Sequence, residues 1–114
     1  MAYSRGGIYL ANFNPSKGTE AGKVRPCMVI QSDLLNQTGH PSTTVIPLTT
    51  SLIENAEPLR LRIAARDDLK QDSDLMLDQL RTLDNRRIDP ALLTRVEDET
   101  MLIVERFLKI LLGV

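Results

Sequence analysis

The sequence predicts a mainly β chain with helices, of the α+β class: a compact, twisted barrel or barrel-like sheet of about five or six short strands with an amphipathic helix packed on it. Three observations lead there. Short runs rich in β-branched and aliphatic residues recur along the chain, and Gly, Pro, Asn or Ser bounds most of them. Two Tyr, two Phe and no Trp leave the core to Leu, Ile, Val and Met. A clear helical period sits at the C-terminal end, where Met101, Val104, Leu108 and Leu111 fall on one stripe.

The first run, Gly7 to Phe13, starts after Gly6 and stops before Asn14-Pro15, which brackets a strand. Asn14 to Gly22 is turn-like, punctuated by Pro15, Gly18 and Gly22, and is longer than a tight hairpin turn. In Lys23 to Ser32 a basic pair runs into Cys27-Met28-Val29-Ile30, a strand apolar on both faces. Arg25 precedes Pro26, which biases it to extended backbone and sets its guanidinium on a stiff element at the mouth of that strand. Asp33 to Gln37 reads as a helical turn capped by Ser32 or Asp33. Thr43 to Leu48 is a third strand, and Thr49-Thr50-Ser51 at its end either donate to a phosphate or cap a turn.

Leu59, Leu61 and Ile63 alternate with Arg60, Arg62 and Ala64, a half-exposed strand with one apolar and one basic face. Leu75-Met76-Leu77 begins a strand expected to continue through Asp78-Gln79-Leu80-Arg81-Thr82-Leu83. Asp78 follows the apolar triplet directly, so its carboxylate either faces water in a groove or pairs with a cation, for which Arg81 is the local candidate. Asn85 to Val96 supports two readings: a helix capped at Asp89-Pro90, or a strand in which Leu92, Thr94 and Val96 alternate with Leu93, Arg95 and Glu97. In the terminal helix Phe107 and Leu112 widen the apolar stripe, Asp98 and Glu99 occupy the first turn, Lys109 the last, and Gly113 stops it.

At 114 residues the chain has room for a single core, read as one domain over residues 1–114. A net charge of -1 gives no bulk attraction for a polyanion, so any nucleic-acid site must be a local basic patch. One cysteine, Cys27, within an apolar run excludes an internal disulfide and fits a reducing compartment. With one Cys and one His, His40, no zinc-type cluster is expected, and no cofactor motif is visible. The N-terminus lacks an apolar signal core and no run is long enough for a bilayer, so the expected location is the cytoplasm.

Five fragments in order carry a resemblance. They are Arg5-Gly6-Gly7-Ile8-Tyr9, Asn14-Pro15-Ser16-Lys17-Gly18-Thr19-Glu20, Arg25-Pro26-Cys27-Met28-Val29-Ile30-Gln31, the strand ending in Thr49-Thr50, and Asp78-Gln79-Leu80-Arg81-Thr82-Leu83-Asp84. In this order and spacing the chain resembles the MazF/PemK/Kid family of toxin ribonucleases. The resemblance implies an SH3-like barrel of about five to seven strands that dimerises, cuts single-stranded RNA at short sequences without a metal, and is silenced by an antitoxin peptide lying across the RNA groove. The antitoxin expected is MazE-like, with an acidic, partly disordered segment. The family's strand-two arginine and strand-three threonine fall on Arg25 and Thr49, and the carboxylate that some members use falls on Asp78. Two positions depart from the pattern of some relatives: Thr19 stands where they carry a histidine in the first loop, and Met76 where they carry an arginine two positions before the acidic residue, so a His-Asp-Arg triad is not implied.

Metal-free cleavage uses the substrate's own 2′-hydroxyl and leaves a cyclic phosphate and a 5′-hydroxyl, so the protein supplies orientation, charge stabilisation and proton transfer. Arg25 suits the charge, Thr49 a hydrogen bond to the same phosphate, and Asp78 either proton transfer or the orienting of Arg81. Candidate RNA contacts are Lys17, Thr19, Glu20, Lys23, Thr50, Ser51, Gln79 and Arg81, with hydrogen bonds to splayed bases prevailing over stacking because aromatics are few. The Asn14–Gly22 loop is expected to cover the RNA and to order on binding. Two rival readings are a fold relative that poisons DNA gyrase without catalysis and a non-enzymatic interaction module; Leu111-Leu112-Gly113-Val114 offers the former no polar recognition group.

Overall fold

β1 (Gly7–Asn12) and β2 (Val24–Val29) form an antiparallel pair in register at Ile8↔Met28 and Tyr9↔Cys27, and β2 continues the sheet onto β3 (Ser42–Thr49) at Met28↔Ile46. The computed structural model describes residues 3–114. β4 (Arg60–Ile63) and β5 (Ser73–Met76) extend the sheet from the far half of β3, β6 (Arg81–Asp84) pairs with its near half, and β7 (Ile88–Arg95) borders β1. The seven strands run β4-β5-β3-β2-β1-β7, with β6 beside β3 off that path. A short α1 (Asp33–Asn36), capped by Ser32, follows β2, and α2 (Asp98–Leu112) closes the chain.

Alternation along the strands explains why Cys27-Met28-Val29 is apolar throughout. Ile8, Met28, Ile46 and Leu48 enter one core with Leu75, Leu77 and the α2 residues Met101 and Val104. Tyr9, Cys27, Val29 and Val45 enter a second core with Phe13, Leu83 and Ile88. Both faces of the central strands are thus buried, as in sheets covered on both sides. Truncating a fully buried residue such as Met28 to Ala costs about 2–5 kcal/mol. Burial pushes the Cys27 thiol up to about 12, so it packs as a small hydrophobe.

The helical stripe behaves as expected at Met101 and Val104, which are buried, and at Phe107, Leu108 and Leu111, which pack against the same cluster. Leu112 differs: it is 56% exposed, because the chain turns at Gly113 (φ 72) and leaves the core. No helix among the described residues is long and apolar enough to cross a membrane.

Two further expectations change, and one left open between two readings is decided. The sheet is not a closed barrel: β4 and β7 are its ends, and the β4–β5 connection spans them, with the Asp68 amide donating to Leu93 O at 3.1 Å and the Thr94 hydroxyl to Asp67 at 2.6 Å. The run from Leu75 to Leu83 is two strands, because a 3₁₀ turn at Leu77–Gln79 drops Leu77 into the core and transfers the chain from one half of β3 to the other. That turn breaks the period a continuous strand would need, since Leu75, Met76 and Leu77 are all buried. Asn85 to Val96 resolves into a 3₁₀ turn, Asn85–Arg87, capped by Asp84, and then β7. Asp89-Pro90 lies in an end strand, where a missing N–H is tolerated, and the pairing with β1 slips around it.

Candidate active site

Arg25 leaves the first turn of β2 half-buried, and two carbonyls hold it: Nε donates to Gly22 O at 2.8 Å and Nη1 to Leu48 O at 3.4 Å. Its bonds among the described residues are to neutral oxygens, so the cation is positioned without being neutralised. Burial lowers its pKa from the usual arginine value, yet a guanidinium remains charged at neutral pH. Carrying the β2–β3 register outward from Cys27↔Pro47 sets Thr49 across from Arg25. The Thr49 hydroxyl oxygen accepts from the Ser51 amide at 3.1 Å, which caps the turn and leaves the hydroxyl proton free to donate.

These two residues, together with Thr19, Ala21, Asp78 and Gln79, line a groove of about 510 Å³. An adjoining hollow of about 300 Å³ shares Arg25 and Thr49 and adds Lys23, Thr50 and Ser51 to its wall. Asp78 is exposed on the 3₁₀ turn and is the carboxylate on the groove wall. The structure therefore brings together Arg25, Thr49, Asp78, Thr19 and Gln79, with Lys23, Thr50 and Ser51 next to them.

Lys17, Glu20 and Arg81 are placed otherwise. Glu20 turns back on its own loop, accepting from the Lys17 amide at 2.8 Å. Arg81 makes no ion pair with Asp78; its guanidinium lies over the Phe13 ring at 5.7 Å, with Nη1 buried and without a hydrogen-bond partner among the described residues. The sequence offered Arg81 a neighbour three residues back, whereas the curl of the sheet offered it an aromatic face.

Hydrogen bonds tie the Asn14–Gly22 loop at both ends. The Asn14 side chain accepts from the Lys23 amide at 2.8 Å, Arg87 donates to Asn14 O at 2.7 Å, and Phe13 N bonds Lys23 O at 2.9 Å where the loop closes. Lys23 turns the chain back in a left-handed conformation (φ 68), a strained state for a side-chain-bearing residue that the Asn14 bond helps hold.

Sequence reasoning missed Arg60 and Asp74. Arg60 lines the groove, and its Nη1 reaches Ser51 O at 3.2 Å and Asp74 at 3.4 Å. Asp74, 1% exposed, also accepts from Arg62 at 2.8 Å and from the Ile53 amide at 3.0 Å. Burial pushes the Asp74 carboxyl up, but Arg62, the Ile53 amide and Arg60 together outweigh that and leave its pKa below the ordinary value. The signal was the basic face of Arg60 and Arg62, which called for an anionic partner.

Residues 4–112 match the profile of the family described as "PemK-like, MazF-like toxin of type II toxin-antitoxin system". The chain is 36% identical over 115 residues to Endoribonuclease EndoA of Bacillus subtilis (strain 168), an alignment covering 99% of this chain and 97% of that one. Among solved structures, MazF from Deinococcus radiodurans superposes with a TM-score of 0.83 at 23% identity, covering 100% of this chain and 99% of that chain. A MazE-MazF structure from the same organism gives 0.77 at 22% identity, covering 100% and 99%. At these identities the two structures speak for the fold, and the family profile and the EndoA alignment speak for kinship.

Proposed function

Because the chain belongs to the PemK-like, MazF-like family of type II toxins, we propose that its groove cleaves single-stranded RNA, messenger RNA included, and thereby stops translation and growth. The observation that carries this reading is the pairing of an un-neutralised Arg25 guanidinium with a free Thr49 hydroxyl proton on the wall of one groove. In the proposed reaction the RNA's 2′-hydroxyl oxygen attacks the adjacent phosphorus, the bond to the 5′ oxygen breaks, and the products carry a 2′,3′-cyclic phosphate and a 5′-hydroxyl. Arg25 gathers the growing negative charge on the phosphate oxygens, and its fork suits that geometry better than a lysine would. Thr49 donates to the same phosphate. Asp78, as the groove's carboxylate, takes the proton from the attacking hydroxyl, and solvent protonates the leaving oxygen. None of these steps calls on a metal.

The partners follow from the same chemistry. A MazE-like antitoxin with an acidic segment is proposed to lie along the groove, where Arg25 is offered to RNA, and so to exclude the substrate. The proposed working form is a homodimer in the cytoplasm, where messenger RNA is. The gyrase-poisoning reading finds no support in a relative named an endoribonuclease.

The experiment is incubation of the purified protein with mixed single-stranded RNA in EDTA, with analysis of product ends. Cleavage yielding cyclic-phosphate ends is expected, and Arg25→Ala is expected to lower the rate about a hundredfold or more while the fold persists. Wild-type rates in folded Arg25→Ala would overturn the assignment.

A further inference from the structure

The loop opposite Gln79 holds both ends of its side-chain amide. Its Oε1 accepts from the Ala21 amide at 3.0 Å, and its Nε2 donates to Thr19 O at 3.1 Å. The two bonds imitate one rung of a β-ladder and join the 3₁₀ turn, Leu77–Gln79, to a loop some sixty positions away in sequence. The next residue after Ala21 is Gly22, whose carbonyl takes Arg25 Nε at 2.8 Å. A continuous path therefore runs from the Gln79 amide through the Ala21–Gly22 peptide to the guanidinium.

We propose that Gln79 is a positioning residue, which latches the Ala21–Gly22 backbone so that Gly22 O fixes the orientation of Arg25 in the groove. The proposal rests on the ribonuclease reading above and deepens it. Fixing Nε from behind leaves the guanidinium little freedom about its last side-chain torsion, so the terminal nitrogens keep their direction as charge develops on the phosphate. The loop suits this task because it is self-braced: a Cβ on Gly22 would sit 2.6 Å from Ser16 Oγ and 3.2 Å from Asn14 Oδ1, so the segment carrying the carbonyl has little room to drift.

The test compares Gln79→Ala and Gln79→Glu with wild type. In the RNA-free protein, the exchange of the Ala21 amide and the Arg25 Nε proton with solvent is followed by NMR. Gln79→Ala is expected to speed both by roughly tenfold or more. With RNA, kcat is expected to fall on the order of tenfold to a hundredfold, with KM and the cleavage sequence nearly unchanged. Gln79→Glu keeps the acceptor for Ala21 but loses the donor to Thr19, and is expected to fall between the two; it carries the test should the alanine variant not fold. Unchanged Arg25 Nε exchange in a folded variant overturns the latch, as does a relaxed cleavage sequence at full kcat, which would make Gln79 a base reader. Should the wild type cut no RNA, the ribonuclease reading falls while the exchange measurement still decides the latch.

Discussion

Asp74 stands across the β3–β5 ladder from Thr49, and its buried carboxylate gathers Arg62, Arg60 and the Ile53 amide on the side of the sheet that supports the groove. One ladder position thus joins a proposed catalytic hydroxyl to the main ionic anchor of the fold. Thr49 ends β3, where the regular hydrogen bonding stops and a side chain is free to meet a ligand.

Replacing Asp74 with Asn keeps the shape and removes the charge. Arg60 then loses its carboxylate partner, Arg62 is left with Glu54 alone, and the Ile53 segment keeps only a neutral acceptor. Removing one partner from a buried pair can cost up to about 3–5 kcal/mol; because both arginines are partly exposed, about 2 kcal/mol is expected here. Urea unfolding should show a lower midpoint with an unchanged slope.

Stability should fall on acidification. Asp74, Asp33, Asp84 and Glu97 all titrate below their ordinary values: Asp33 through the Arg5 amide and Asn36, Asp84 at about 2 through Arg86, and Glu97 through its own amide and Arg66. A carboxyl with a depressed folded pKa contributes stability that is fully present above its unfolded pKa, about 4, and is lost as pH falls through the folded value. The urea midpoint should therefore be level from pH 7 to about 5 and drop below about 4. Asp74→Asn should show a smaller drop.

Gly22→Ala should disable cleavage without unfolding the protein. The new Cβ meets Ser16 Oγ at 2.6 Å and Ser16 Cβ at 3.0 Å, so the loop must shift, and Gly22 O moves with it away from Arg25 Nε. A displacement of that kind is expected to cost about tenfold to a hundredfold in rate. Adding Ser16→Gly removes both colliding atoms and should restore most of the rate, as measured on one fluorescent RNA.

Thr49→Val should separate hydroxyl from shape. Valine fills the same volume but neither donates to a phosphate nor accepts from Ser51. Loss of about tenfold or more in kcat is expected, with Thr49→Ser close to wild type. Equal rates for Val and Ser would remove Thr49 from the mechanism.

Much of this was legible because it is local. Short β-rich or apolar runs gave β1 to β3, the period-two run gave β4, the stripe at Met101, Val104 and Leu108 gave α2, and Pro26 marked where Arg25 would enter β2. Arg25 and Thr49 were singled out by resemblance to the family's motifs, and the strand ends on which they sit were marked locally by Pro26 and by Thr49-Thr50-Ser51. The 3₁₀ break at Leu77–Gln79 was hidden because Leu75-Met76-Leu77 reads as the start of a strand and no Gly or Pro follows to mark a turn. Arg81 was read by its neighbour in sequence, and the fold gave it Phe13 instead.

By itself the sequence determined most of the elements and their order, since propensity and periodicity act over a few residues. Only the tertiary structure decided that the sheet stays open, that Asp74 holds Arg60 and Arg62, and that Gln79 grips the loop behind Arg25. Those pairings depend on ladder register and on a loop folding back across the sheet, and such long-range geometry is fixed by how all the strands pack at once.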